Sequence, residues 1–207
     1  MPTAEVCVEQ VSEGFVALAF RGSRLMCNTI PLESERSALR HLRIACERAW
    51  GRVKLKRNPF CGPQAETVAS LVNRLYLGDA VDAGDVQLET PKSESMRRVL
   101  FAVSAIPRGR VTTYGALAKA VGLSPRVVGS NLGRNPFPLL VPCHRVVRSD
   151  LTVGGYSYGR LVKAYILMRE GVEIDLETGK VDRRALLPAW VLRGRLQVAL
   201  QGVEAGW

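Results

Sequence analysis

The feature that most limits what this chain can become is a short polar joint, Thr90-Pro91-Lys92-Ser93-Glu94-Ser95. It carries a proline, has no large apolar side chain and stands directly before a helical pattern, so it reads as a boundary between two folding units. The two sides differ in charge: residues 1 to 90 hold 11 Lys or Arg against 11 Asp or Glu, and residues 91 to 207 hold 18 against 8. All of the net charge of +10 therefore lies behind the joint. A neutral scaffold joined to a strongly basic module points to a polyanionic partner, nucleic acid first. Solubility alone is the plainer reading of the same charge. With 207 residues, 47% of them hydrophobic, there is chain enough for one large domain or two small ones around an ordinary globular core.

The first part is expected to be α+β. Glu5 to Val11, Phe15 to Phe20 and Leu25 to Ile30 have strand character, are separated by Glu13-Gly14 and Gly22-Ser23, and read as a meander. Glu33 to Trp50 then carries Ala38, Leu42, Ala45 and Ala49 at helical spacing with Gly51 as its stop, and Pro63 to Leu77, closed by Gly78, is a second amphipathic helix. Arg52 to Arg57 reads as a basic loop, and Val86 to Leu88 as a last short strand. No catalytic constellation falls here, so the expected role is support. Cys7, Cys27, Cys46 and Cys61 form no C-x-x-C pair and fit no zinc-finger spacing, and the chain has only two histidines, His41 and His144. Buried thiols are preferred to a disulfide or a metal site, and no metal or other cofactor is expected. No apolar run reaches the length of a membrane span, and the N-terminus lacks a basic, hydrophobic signal region. An intracellular protein, in the cytoplasm, nucleoid or nucleus, without a membrane partner, is the expectation.

Behind the joint, Met96, Val99, Leu100 and Val103 mark the buried face of a helix that ends at Pro107-Arg108-Gly109-Arg110. Two short helices follow. Thr113 caps the first, which turns Leu117 and Val121 inward and stops at Gly122; Ser124 and Pro125 open the second, which runs to about Gly133. Two short helices joined through a glycine in a basic region predict a helix-turn-helix. In the second, Val128 and Leu132 can bury, while Arg126, Gly129, Ser130 and Gly133 share the opposite face. That face is one arginine followed by almost no side chain. A helix that reads base edges in a major groove would carry longer polar groups there. A bare face suits close approach to a narrow groove with Arg126 as the one probe entering it; close packing of another helix on Gly129 and Gly133 is the alternative.

Asn135-Pro136-Phe137-Pro138 makes a stiff turn, which Asn135 can hold by side-chain to backbone bonds, into the strand-like Leu139 to Val141. Pro142 then delivers Cys143, with His144, Arg145 and Arg148 following. Not one Asp or Glu occurs between Ser95 and Ser149, so local charge favours thiolate over thiol. A tight turn could bring His144 to the thiol directly or through one water, and Glu170, at the end of the next helix, Leu161 to Arg169, is the preferred carboxylate to orient the imidazole. Between them Val153-Gly154-Gly155-Tyr156-Ser157-Tyr158-Gly159 lacks the spacing and the lysine of a phosphate loop and reads as a pocket wall able to cover a flat ring. A further amphipathic stretch, Trp190 to Leu200, lies in the tail.

Val141-Pro142-Cys143-His144-Arg145-Val146, preceded by Asn135-Pro136 and followed by the Gly-Gly-Tyr-Ser loop, resembles the O6-alkylguanine-DNA alkyltransferases, over about Met96 to Val172. The resemblance implies an N-terminal ribonuclease-H-like domain over residues 1–90, then a mostly helical domain over 91–176 with the helix-turn-helix and active site. Residues 177–207 are left as a tail of unknown role. It implies direct DNA repair, in which Cys143 takes the alkyl group from O6-alkylguanine, or from O4-alkylthymine, in one irreversible turnover. His144 and Glu170 activate the thiol, Asn135 braces it, and Tyr114 donates a proton to the departing base. Arg126 replaces the flipped nucleotide, with Gly129, Ser130 and Gly133 against the DNA. Main-chain groups of Val146 and Ser157, with Tyr156 and Tyr158, hold the base. A monomer on the minor groove of double-stranded DNA, indifferent to sequence, follows. A transcription regulator would explain the charge and the helix pair but not Pro-Cys-His-Arg, and a non-enzymatic alkylguanine binder would lack the acceptor thiol.

Overall fold

The structure, a computed structural model, describes residues 3–202. It is mixed α+β and divides into two compact units. One is formed by the chain up to Pro91 together with Arg134–Leu140, the other by Lys92–Gly133 and the chain from Val141.

In the first unit β1 (Thr3–Val11), β2 (Gly14–Arg21) and β3 (Arg24–Asn28) form the expected antiparallel meander. Gly14 has φ +127°, and a side chain there would run into the carbonyl of Leu32, so the turn between β1 and β2 admits only glycine. Helix α1 (Glu35–Trp50) starts at Ser34, whose hydroxyl accepts the amide of Ser37 at 3.2 Å, and stops at Gly51, as its apolar spacing requires. Residues 54–57, read from the sequence as part of a loop, are a strand instead. This β4 (Lys54–Arg57) pairs parallel with β1 and gives the order β3-β2-β1-β4. Leu55 is its single apolar residue, so no alternation marked it, and its charged side chains suit an exposed edge. Ala4, Val6, Ala17 and Ala19 of the sheet pack with Ala38, Leu42 and Cys46 of α1. Helix α2 (Pro63–Leu77), closed by left-handed Gly78, packs against β1 and β2.

Two further expectations change. Val86 to Leu88 forms only an isolated bridge, Leu88 to Leu25. Leu139 to Val141 is no strand: Leu139 sits at φ +72° in a turn. The stretch is tied instead by its carbonyls, since Asn28 donates its amide to Pro136 O at 3.0 Å and its Nδ2 to Pro138 O at 2.9 Å. An apolar run between prolines has no period by which a buried turn can be told from a buried strand.

The second unit opens with α3 (Glu94–Ser104), capped by Ser93. After β5 (Thr112–Thr113) come α4 (Tyr114–Val121) and α5 (Pro125–Leu132), capped by Thr113 and Ser124 and joined by three residues around left-handed Gly122. Helix α3 packs on both, burying Met96, Val99, Leu100 and Val103 with Leu117, Val121, Val128 and Leu132. A 3-10 turn, Cys143–Arg145, leads into β6 (Val146–Val147), which pairs parallel with β5, and then α6 (Arg160–Arg169). A small hairpin, β7 (Ile174–Asp175) and β8 (Lys180–Val181), precedes α7 (Ala189–Gly202). This last stretch is built in: Val111 donates to Ala185 O at 2.9 Å, Leu187 donates to Val111 O at 2.7 Å, and α7 lies on α4. Among the described residues no helix is long and apolar enough to cross a membrane.

Candidate active site

Cys143 is delivered by Pro142 at φ −78°, ψ 61° and sits 9% exposed at the head of the 3-10 turn. Successive residues of such a turn point about 120° apart. Cys143, His144 and Arg145 therefore leave the backbone in three directions.

His144 is fully buried, and its Nε2 lies 2.9 Å from Glu170 Oε1. The same carboxylate receives Arg145 as a two-pronged partner, Nε to Oε2 at 2.9 Å and Nη2 to Oε1 at 2.7 Å, while Arg145 Nη1 reaches Ile106 O at 2.6 Å. Burial alone would raise the Glu170 carboxyl, but the bonds and charges of His144 and Arg145 outweigh it and bring it down to about 2. For His144 burial lowers the pKa, and the charges of Arg145 and Lys163 act in the same direction against Glu170. We take the imidazole as neutral at neutral pH, with Glu170 kept ionised by the bond from His144 and by the arginine fork. A neutral ring that donates Nε2–H to Glu170 exposes the Nδ1 lone pair, and Nδ1 makes no hydrogen bond among the described residues.

Arg145, which the sequence sets among the cations around the thiol, is engaged instead by Glu170. The buried cation beside Cys143 is Lys163, which stands outside the sequence motif. Lys163 is 1% exposed, and its Nζ donates to Val146 O at 2.6 Å. Burial pulls its pKa down to about 8 against the raising effect of Cys143. The signal was present: Lys163, Ile166, Leu167 and Glu170 fall on one helical stripe, so a lysine and a glutamate share the apolar face of α6.

Tyr114, at the first turn of α4, lies between α5 and α6. Lys163 Nζ is 6.0 Å from its ring centroid, and a Cβ added to Gly129 would stand 3.9 Å from its Cε1. Burial first, then the nearby Cys143, raises the phenol pKa, against the pull of Arg148, so the phenol stays protonated at neutral pH. Val146 uses its N–H on Cys143 O. Tyr156 and Tyr158 lie with ring centroids 5.6 Å apart, and Ser157 between them is exposed. On α5, Arg126, Ser130 and Gly133 are exposed and Gly129 half-buried, opposite buried Val128 and Leu132. Among the described residues a Cβ on Gly129 would meet only the Tyr114 ring, at ordinary contact distance, and one on Gly133 only carbonyls of α5 itself, at 3.4 Å and 3.7 Å. Asn135 belongs to the segment that groups with the first unit, where its Oδ1 accepts the Phe137 amide at 3.0 Å. Among the described residues no three His, Cys, Asp or Glu side chains are grouped to hold a metal ion.

These features can be set beside known proteins. Residues 94–172 match the family model of the 6-O-methylguanine DNA methyltransferase DNA-binding domain. The methylated-DNA–protein-cysteine methyltransferase of Methanocaldococcus vulcanius is 36% identical over 173 residues, covering 82% of this chain and 99% of the relative. The crystal structure of the O6-methylguanine-DNA methyltransferase of Pyrococcus kodakaraensis superposes with a TM-score of 0.65 at 29% identity, over 82% of this chain and 99% of that one. OGT of Mycobacterium tuberculosis, solved in complex with DNA, does so with a TM-score of 0.61 at 25% identity, over 81% and 92%. With a relative matched at this identity over nearly its whole length, the chain belongs to the methylated-DNA–protein-cysteine methyltransferase family.

Proposed function

We propose that this protein repairs DNA directly, moving the alkyl group from O6 of guanine to the sulfur of Cys143 once per molecule. The observation that carries the proposal is the buried 2.9 Å contact between His144 and Glu170 immediately behind that cysteine. A neutral imidazole held in one tautomer is a base that can take the thiol proton at Nδ1 through one water; no direct bond from the thiol to Nδ1 is made. The Lys163 ammonium favours the resulting thiolate. The thiolate attacks the alkyl carbon, the carbon–oxygen bond breaks, and its electrons pass to the base, which takes up a proton from Tyr114. The product is a thioether, which has no electrophilic carbonyl for water to attack and no disulfide for a thiol to exchange with. O4-alkylthymine offers the same carbon–oxygen bond and is a second substrate of the same class.

Reaching O6 requires the base to leave the stack. In this reading α4 and α5 act as a helix-turn-helix laid on the minor groove, the bare face of Gly129, Ser130 and Gly133 approaches the backbone, and Arg126 fills the gap left by the flipped nucleotide. The base enters a pocket of Val146, Tyr156, Ser157 and Tyr158, with Asn135 bracing the site. The first unit, with three antiparallel strands and a fourth parallel one, is a ribonuclease-H-like support, and the protein works as a monomer, indifferent to DNA sequence. Mixing with a duplex containing one O6-methylguanine, followed by intact mass and peptide mapping, tests the proposal. One added methyl on Cys143 supports it; repeated turnover, or methyl on any other cysteine, refutes it.

A further inference from the structure

Four cysteines take no part in this chemistry, and the fold sorts them into two neighbouring pairs. In the first unit the parallel pairing of β1 with β4 runs on for one residue, because Asn58 donates its amide to Val6 O at 2.9 Å. Cys7 therefore stands beside Asn58. The chain then turns back, with the Phe60 amide donating to Asn58 Oδ1 at 3.0 Å, and the Cys61 thiol reaches Asn58 O at 3.4 Å. This turn sets the Cys61 thiol beside Cys7, close enough for Cys61 to raise the proton affinity of the Cys7 thiol. Cys27 on β3 and Cys46 on α1 make a second such pair, both fully buried in the cluster between the sheet and α1. No disulfide joins any of them.

The two pairs differ in access. Cys61, expected from the sequence to be buried, is only half-buried in the turn before α2, whereas Cys7 is buried; Cys27 and Cys46 are both at 0%. Exchange with a disulfide needs one thiol that an outside reagent can reach and a second poised to displace the mixed product. Only the first pair has both.

We propose that Cys7 and Cys61 form an oxidative cross-linking site that takes a low-molecular-weight disulfide as its oxidant. Cys61 as thiolate attacks one sulfur of the reagent RSSR and releases one RSH, giving a mixed disulfide. Cys7 then attacks the Cys61 sulfur, releases the second RSH and closes Cys7–S–S–Cys61, so two protein thiols are oxidised and one disulfide is reduced to two thiols. Burial, then the neighbouring Cys61, pushes the Cys7 thiol up to about 12, which makes Cys7 the second thiol to react rather than the first. The bond ties the middle of β1 to a point two residues before α2, whose first turn has no side-chain cap. It also encloses a loop of more than 50 residues, long enough for a marked restriction of the unfolded chain.

The full-length native protein is incubated with oxidised glutathione, the remaining thiols are alkylated in denaturant, and each cysteine is mapped by mass. The expected product is a monomer with a Cys7–Cys61 peptide link, with Cys27 and Cys46 still alkylatable and a Tm higher by about 5 °C that dithiothreitol reverses. Cys61→Ser abolishes the link and the rise in Tm. Cys7→Ser leaves Cys61 as a mixed disulfide with glutathione. A wild-type protein that stops at that mixed disulfide, joins two chains through Cys61, closes Cys27 to Cys46 first or does not react would overturn the proposal. So would a Tm that falls on cross-linking.

Discussion

Lys163 donates its ammonium to the carbonyl of Val146 at 2.6 Å, which anchors a buried positive charge on the strand that leaves the active-site turn. The bond fixes the position of the cation, and the neighbouring sulfur of Cys143 in turn raises the lysine's proton affinity. Lys163→Met keeps the length and the apolar stem while removing the charge. The thiol of Cys143 should then titrate higher, and each unit of that rise lowers the thiolate fraction at neutral pH about tenfold. Alkylation of Cys143 by iodoacetamide across pH 6 to 10 measures it: the midpoint of the variant should move up, and an unmoved midpoint would deny Lys163 a part in activating the thiol.

Glu170 links pH to stability. Its carboxyl is held down to about 2 in the folded protein against an ordinary 4.5. Between these values the unfolded chain binds a proton that the folded chain refuses, so the stabilisation is complete above pH 4.5 and disappears as pH falls through about 2. The total is on the order of 3 kcal/mol. His144, whose pKa burial lowers, adds a separate loss that begins below its ordinary 6.5. Urea unfolding of wild type and Glu170→Gln at stepped pH should show the lower of these two slopes in the wild type alone. Equal slopes below pH 4.5 would mean that His144 and the fork of Arg145 do not hold Glu170 ionised.

Arg126 is exposed at the start of α5 and carries no packing load. Arg126→Ala should therefore leave Tm unchanged and slow repair of duplex DNA by well over tenfold, while reaction with free O6-alkylguanine base hardly changes. An equal loss on both substrates would place the defect at the thiol instead of at base extrusion.

Gly129→Ala sets the proposed DNA contact against stability. A Cβ there meets only the Tyr114 ring at an ordinary 3.9 Å, so Gly129→Ala should gain up to about 1 kcal/mol of helix propensity and weaken binding to a duplex. A drop in Tm would show that the glycine serves packing after all.

Binding to undamaged duplexes of unrelated sequence should be equal and steeply salt-dependent, because the excess charge lies behind Thr90–Ser95 and the presented face of α5 has little with which to read bases. Fluorescence titrations at several salt concentrations would reveal a sequence preference if α5 read base edges.

What could be read from the chain was what local chemistry decides. Thr113 and Ser124 each accept the amide three residues on, and Gly51, Gly78 and Gly122 close α1, α2 and α4, so these helix ends are written in single residues. The contact between His144 and Glu170 was reachable because Glu170 is the first carboxylate to follow the cysteine on a regular element. Features decided by tertiary partners were not legible. Lys54–Arg57 becomes a strand only because the edge of β1 accepts it. Arg145 looks like one more free cation until its fork meets Glu170, and Lys163 looks solvated until Val146 receives it.

The strand β4 lies at one edge of the first sheet with Lys54 and Lys56 exposed along it and Arg57 paired to Glu35 at 2.7 Å. Ammonium groups along an open edge repel a second copy that would otherwise extend the sheet. A molecule spent on a single lesion protects a genome only in proportion to its copy number. The charged edge opposes one route by which many copies in one solution could withdraw one another from repair, the pairing of sheet edges.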